Sequence, residues 1–349
     1  MAPVVAALRA RPQLRTRLLL TGQHRELVDQ VLEVFGLEAD RDLGIMREGQ
    51  SLYDVAHRAL DGLRDAMTEE SPDLLLVQGD TASVFFGALV SFFEGVRVGH
   101  VEAGLRSRDL AHPFPEEGFR RLTSVLADLH FAPTEEAVRN LLREGVPEGR
   151  IHRTGNPVVD ALLRIADADL PIQDEALARL LQGGHPFILL TAHRRESFGE
   201  PLRRVFRTVH DILDRHPEYQ LLYPVHPNPH VREPASELLG GHPRVHLVDP
   251  LSYPDLVRAL RASALALTDS GGIQEEAPTF GTPVVVLREV TERPEGIAAG
   301  VATLAGTDPA RILAAVEAAL GARTEIPNPY GDGRAGERIA RIVARSLLA

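Results

Sequence analysis

The chain of 349 residues contains no lysine and no cysteine, and all 38 of its basic side chains are arginine. Without lysine there is no amine for a Schiff base, no attachment point for pyridoxal phosphate and no P-loop lysine, so phosphate must be met by arginine or by backbone amides. Without cysteine there are no disulfides, thiolate metal sites or thiol nucleophiles, and a cytoplasmic compartment is the expectation. Long apolar runs are also lacking. Nothing approaches the roughly 18 residues of a membrane span, and the opening MAPVVAALRARPQL has no signal-peptide core, so no membrane partner is expected. With 49 acidic against 38 basic side chains and a net charge of −11, the basic footprint of a nucleic-acid binder is absent as well. An anionic ligand would need a local site.

What the chain does have is a 44% hydrophobic content arranged in one repeated rhythm. Short β-branched or leucine-rich runs at 17–20, 74–77, 96–101, 187–191, 221–224, 245–248, 265–268 and 284–287 alternate with amphipathic stretches of helical length such as 24–35 and 201–215. That alternation predicts an α/β protein with parallel sheets. The pattern weakens over IADADLPIQDEALARLLQGG and restarts at HPFILL, which places a domain junction there. The expected architecture is two doubly wound Rossmann-like domains facing across a cleft. Residues 1–165 form the first, residues 166–330 the second, and residues 331–349 a C-terminal helix packing back on the first. In such sheets ligands sit beyond the carboxyl ends of the strands.

Chemistry is concentrated at those ends. LLLVQGDTAS ends a strand at Gln78, Gly79 and Asp80; VGHVEAG ends another at Glu102; FILLTAHRRES ends a third at His193 and Arg194. A single such residue is most simply a helix cap or a surface charge, but three converging loops favour a site. The stretch after Glu102, LRSRDLAHPFPEEGFRR, packs Asp109, Glu116 and Glu117 among Arg106, Arg108, His112, Arg120 and Arg121, with Pro113 and Pro115 barring a helix. In LALTDSGGIQEEAPTFGTPVVVL a strand runs into Ser270, Gly271 and Gly272, where absent side chains open backbone amides to a diphosphate. Glu275 and Glu276 follow within reach of a ribose hydroxyl or serve as plain dipole compensation, and Arg293 in TERPE is placed to close over phosphates.

Two further patterns are discounted. GDGRAG, residues 331–336, fits the dinucleotide spacing of glycines but follows NPY rather than a strand, so no nicotinamide cofactor is expected. HPNPH sets His226 and His230 four apart, yet Pro227 and Pro229 deny them a common helical face, so no metal is expected either.

TGQHRELVDQVLEVF, QGDTAS, GHVEAGLRS, PFPEEGFRR, TGNPVVDAL, TAHRRES, PVHPNP, TDSGGIQEEAP, TERPE and NPYGDGRA resemble, in order and over nearly the whole chain, the non-hydrolysing bacterial UDP-N-acetylglucosamine 2-epimerases. The resemblance implies a fold of the glycosyltransferase-B type, a homodimer, no cofactor, and interconversion of UDP-N-acetylglucosamine with UDP-N-acetylmannosamine for surface polysaccharide synthesis. It further implies a route in which UDP leaves as the C2 proton is taken, giving 2-acetamidoglucal, and adds back with the proton returned to the other face. Carried over by position, Asp80, Glu102 and Glu116 are the catalytic carboxylates and His193 stands beside the departing diphosphate. Arg120 lies near the reacting sugar, and Ser270, Gly271, Gly272, Glu276 and Arg293 form the UDP clamp. Crowded, buried carboxylates gain the raised pKa values that suit proton transfer. Gln23, His24 and Glu26 resemble the segment that holds a second UDP-N-acetylglucosamine as allosteric activator, against the simpler reading of a capped helix start.

The resemblance departs at the N-terminus. Relatives begin with a strand, a GTRPE loop and a helix continuing as MAP, whereas this chain starts at Met1, Ala2 and Pro3. On that comparison the first strand and its arginine loop are expected to be missing, leaving a form less stable and less active than one extended upstream. Three other functions fit parts of the pattern: a glycosyltransferase of the same fold, a hydrolysing epimerase, and a nucleotide-sugar binding protein without turnover.

Overall fold

A computed structural model describes residues 1–22, 25–45, 47, 49–168 and 170–348, with the side chains of residues 25–27, 29 and 30 set aside. Two compact units are present, Met1–Ala161 with Tyr330–Ala349, and Leu162–Pro329. In chain order the first contains α1 (Ala2–Arg9), β1 (Leu19–Leu20), α2 (Arg25–Phe35), β2 (Arg41–Asp42), α3 (Leu52–Glu70), β3 (Leu74–Gln78), α4 (Ala82–Phe93), β4 (Arg97–Val101), α5 (Glu116–Leu126), β5 (Leu129–Ala132), α6 (Glu135–Arg143) and β6 (Ile151–Arg153). Helix α7 (Pro157–Asp167) spans the unit boundary. The second unit continues with α8 (Glu175–Gly183), β7 (Phe187–Thr191), α9 (Glu200–Arg215), β8 (Gln220–Pro224), α10 (Pro229–Leu239), β9 (Val245–Val248), α11 (Tyr253–Ala262), β10 (Leu265–Thr268), α12 (Gly271–Glu276), β11 (Val284–Val286), α13 (Pro294–Ala298), β12 (Ala302–Leu304) and α14 (Pro309–Ala319). Finally α15 (Ala335–Leu348) returns to the first unit. Among the described residues no helix is long and apolar enough to cross a membrane.

The second unit is one six-stranded parallel sheet in the order β12-β11-β10-β7-β8-β9. Its central strands β7 and β10 are buried almost throughout, as a sheet covered on both faces requires. Phe206, Tyr223, Leu190 and Leu267 lie in the core on one face and Leu189, Leu222, Ala266 and Val286 in the core on the other. Each fully buried side chain of this size contributes about 1.5–3 kcal/mol of transfer free energy. The amphipathic stretch expected at 201–215 is α9, whose Leu202, Val205, Phe206, Val209, Ile212 and Leu213 form its buried face.

The first unit is assembled differently. β3-β4-β5-β6 form a parallel sheet, while among the described residues β1 and β2 pair only with each other. β4 and β5 are almost fully buried, but all five residues of β3 are only partly so. Leu18 before β1, Leu19 of β1 and Leu74, Leu75 and Leu76 of β3 line a cavity of about 420 Å³, together with Val5, Leu8 and Val343 from the helices. The β1–β2 ribbon is fastened to its surroundings by charge: Arg9 of α1 to Asp40 at 2.7 Å, Arg17 to Asp40 at 2.9 Å and to Glu70 of α3 at 3.1 Å, and Arg41 to Glu69. Helix α3 starts at a capping box in which Ser51 Oγ accepts from Asp54 N and the Asp54 carboxylate accepts from Ser51 N. GDGRAG is a loop leading into α15, and the Ala335 and Gly336 amides donate to the Asp160 carboxylate at 3.1 and 2.7 Å, so its anion is an internal one.

Four strands escape the sequence pattern: β2, β5, β6 and β12. Three have only two or three residues, and β5 carries His130 in the middle of a fully buried run. Burial holds that imidazole neutral, its pKa lowered to about 4.

Candidate active site

In the first unit strand register decides which side chains meet. Gln78 of β3 lies opposite Val101 of β4, so Gly79–Asp80 and Glu102 leave adjacent strand ends. His100, fully buried and held near pKa 3 by desolvation, is neutral and bonds Gly79 O through Nε2 at 2.8 Å, fixing the turn that presents Asp80. Glu102 sits at φ +66, in the left-handed region that non-glycine residues avoid. Strain of this kind costs on the order of 1–3 kcal/mol and is characteristic of functional positions. The turn is completed by Gly104 at φ +91, where a Cβ would stand 2.3 Å from Ala137 O. Gln78 Nε2 donates to Glu102 Oε2 at 3.1 Å.

The segment broken by Pro113 and Pro115 runs through turns until Glu116 opens α5. Arg120, on the next turn of α5 and buried, donates to Asp80 and, at 3.1 Å, to Glu117. Glu117 is completely buried and also accepts from Ser107 N at 3.0 Å and Arg108 N at 3.2 Å. Of the expected residues, hydrogen bonds link Asp80 with Arg120, while Glu102 is tied to Gln78 and Glu116 is partly exposed at the first position of α5. The expected crowd of like charges is therefore interleaved with a cation. Glu117, which the expected catalytic set does not include, is the inward-facing member of the pair, its i,i+3 spacing to Arg120 placing both on one side of α5.

In the second unit β10 ends at Thr268, opposite Thr191 of β7, and the two loops that follow are knitted together. Asp269, 1% exposed, accepts through Oδ2 from His193 N at 2.7 Å and Arg194 N at 2.8 Å. The His193 ring stacks on His226, with centroids 5.5 Å apart and planes 11° off parallel. Burial lowers the His193 pKa, His226 and Arg194 lower it further, and Asp269 opposes them. Ser270 occupies the N-cap position of α12 without a side-chain capping bond, and its own N–H is taken by Thr268 Oγ1 at 2.9 Å. Above it lies Arg293: a Cβ on Gly271 would fall 2.6 Å from the Arg293 guanidinium carbon, so the glycine leaves the space in which the guanidinium rests against the start of α12. Arg293 Nε donates to Glu275 at 2.7 Å, and Arg293 N to Thr291 Oγ1 at 3.1 Å. Ser270, Gly271 and Arg293 are thus gathered at one place, with Gly272 next in the helix.

Glu276 is buried beneath them and accepts from Tyr253 OH at 3.1 Å. Desolvation, aided by the neighbouring Glu275 charge, pushes its pKa up to about 8. A carboxyl raised from 4.5 contributes stability that is fully present below 4.5 and is lost as pH climbs toward about 8. Glu276→Gln, neutral at every pH, should therefore melt roughly 3–10 °C above the parent chain near pH 8.5, with the gap closing toward pH 4.5. A gap that does not change with pH in calorimetric scans would overturn the assignment of a buried, neutral Glu276.

Gln23 and His24 lie outside the described residues, and so does the side chain of Glu26. His226 precedes α10 and His230 is its second residue, its ring tilted 31° against that of Phe198. Among the described residues no group of three or more His, Asp or Glu side chains is placed to hold a metal.

A family model for UDP-N-acetylglucosamine 2-epimerase matches residues 6–344. A UDP-N-acetylglucosamine 2-epimerase of Yersinia pestis is 46% identical over 352 residues, covering 98% of this chain and 94% of that protein. The Escherichia coli K12 protein of the same name is 46% identical over 362 residues, covering 100% of this chain and 96% of its own length. A crystal structure of UDP-GlcNAc 2-epimerase from Neisseria meningitidis bound to UDP-GlcNAc superposes with a TM-score of 0.91 at 39% identity, covering 100% of this chain and 95% of that one.

Proposed function

This chain belongs to the UDP-N-acetylglucosamine 2-epimerase family, and from that premise we propose how its two units divide the work. The chain is an isomerase that epimerises UDP-N-acetylglucosamine at C2. The product is UDP-N-acetylmannosamine. The second unit holds the nucleotide. Arg293 over Gly271 supplies a cation and an unobstructed backbone for the diphosphate, and Glu276 meets the ribose. The first unit moves the proton. Asp80, Glu102 and Glu116 serve as acid and base, with Arg120 holding Asp80 in place.

Inverting C2 without a nicotinamide requires removal of a weakly acidic proton. In the proposed route a carboxylate takes it while the C1–O bond breaks and the electron pair leaves with UDP, giving 2-acetamidoglucal. UDP then adds back to C1 as a proton is delivered to the opposite face of C2. The observation that carries this reading is the pair of carboxylates on adjacent strand ends, Asp80 clamped by a buried arginine and Glu102 held at positive φ. Catalytic pressure explains such a backbone better than folding does. Incubation in deuterated water should place deuterium at C2 of both epimers with no free sugar released. Product without deuterium would rule out proton abstraction, free N-acetylmannosamine would favour a hydrolysing enzyme, and binding without product a non-catalytic one.

A homodimer accords with apolar side chains left exposed on two packed helices, Phe92 and Phe93 on α4 with Leu122 and Val125 on α5. Sedimentation at the mass of one chain would count against it.

A further inference from the structure

Asp269 does more than tie two loops. Its Oδ2 is spent on the two backbone N–H groups, but Oδ1 is buried with no hydrogen-bond partner and stands 3.5 Å from His193 Nδ1. A buried carboxylate oxygen left so costs about 1–3 kcal/mol, and a few tenths of an ångström of ring movement would give it the Nδ1 proton. The Tyr223 hydroxyl is already engaged, donating to Ala192 O at 2.8 Å. The stacked His226 limits how the ring can turn.

We infer that Asp269 is the positioning residue of His193, keeping the imidazole proton on Nδ1 so that Nε2 is the nitrogen turned toward the ligand. The inference rests on the reading of His193 as the group beside the departing diphosphate. With Nδ1 paired to a carboxylate, the ring takes up a second proton on Nε2 more readily, and an imidazolium so held donates a charge-assisted bond to a phosphate oxygen as negative charge develops there. The groups that face the ring set the balance: Asp269 from the end of β10, His226 from the loop after β8, and Arg194 from its own loop. Tyr223 of β8 is spent on Ala192. Burial, His226 and Arg194 disfavour the charged ring, and only Asp269 favours it.

Histidine-labelled protein, free of ligand near neutral pH, gives a direct reading by long-range proton–nitrogen correlation, with the His193 signals identified by their loss in His193→Gln. Nδ1 protonated and Nε2 bare is the expected pattern; the reverse overturns the inference. In Asp269→Asn the amide turns an N–H toward Nδ1, so the tautomer should flip. Turnover should then fall roughly 10–100-fold, as when the partner that orients a histidine is lost, with UDP affinity little changed. The pH limb belonging to His193 should move to lower pH. A variant whose pH profile overlays that of the parent, or that loses UDP affinity alone, refutes the role. Should Asp269→Asn fail to fold, the parent spectrum still decides. That spectrum needs no turnover, so it stands apart from the deuterium experiment: deuterium without the Nδ1 tautomer defeats the inference alone, and the tautomer without deuterium defeats the proposed reaction alone.

Discussion

Glu102→Gln should turn over UDP-N-acetylglucosamine about 100-fold or more slowly than the parent chain while UDP binds as before. Glutamine preserves the length of the side chain and an oxygen for Gln78 Nε2, so the turn at φ +66 keeps its partner. What it removes is the capacity to accept a proton, and general acid–base groups typically contribute 10²–10⁴-fold. Asp80→Asn should behave alike, although Arg120 then retains only Glu117 as a charged partner, and Glu116→Gln should follow with less structural disturbance because Glu116 is partly exposed. UDP affinity measured by calorimetry separates lost chemistry from lost structure, since the nucleotide is assigned to the other unit. Near-normal turnover in all three variants would end the assignment of these carboxylates.

Arg293→Ala should weaken UDP binding by about 1.5–3 kcal/mol, or roughly 10- to 150-fold in Kd, the scale of a charge-assisted hydrogen bond to phosphate. The guanidinium is held by contacts within the chain: Glu275 accepts from Nε, Thr291 Oγ1 accepts from the backbone N–H, and Gly271 leaves the space. Such preorganisation spares the ordering cost that a free surface arginine would incur on binding. Gly271→Ala should act in the same direction but more weakly, because the added methyl shifts the end of a flexible side chain and leaves its charge in place. Both losses should appear with UDP alone, in the absence of the sugar. Unchanged UDP affinity in Arg293→Ala would remove that arginine from the site.

The strand ends that carry these residues were legible because each follows a run of apolar residues, as at LLLVQGD and LALTDSGG. Chemistry beyond a strand end needs only the strand to be recognised. Partners brought in by tertiary structure left no comparable trace. Nothing in VGHVEAG shows that His100 will bond Gly79 O on the neighbouring strand, and nothing in TDSGG distinguishes Asp269, bound to the loop after β7, from an ordinary helix-start aspartate. Both bonds depend on strand register, which one-dimensional periodicity does not contain. Of the two adjacent glutamates in PFPEE, only helix phase separates Glu117, buried against Arg120, from Glu116, and that phase depends on where α5 begins after Pro115. The four unrecognised strands are short or contain a histidine that becomes tolerable only once buried neutral.

Among the described residues the ribbon of β1 and β2 shares no ladder with β3–β6; Arg9 of α1 pairs with Asp40 beside β2, Arg17 beside β1 with Asp40 and with Glu70 of α3, and Arg41 of β2 with Glu69 of α3. Partly exposed pairs of this kind contribute about 0–1 kcal/mol each, and their attraction is screened over roughly 8–10 Å at physiological ionic strength. The apolar cores have no such dependence. Salt therefore acts on the first unit unevenly: rising ionic strength weakens these ion pairs, while the packing of Leu43 and Ile45 against α3 and the cores of the main sheets keep their hold.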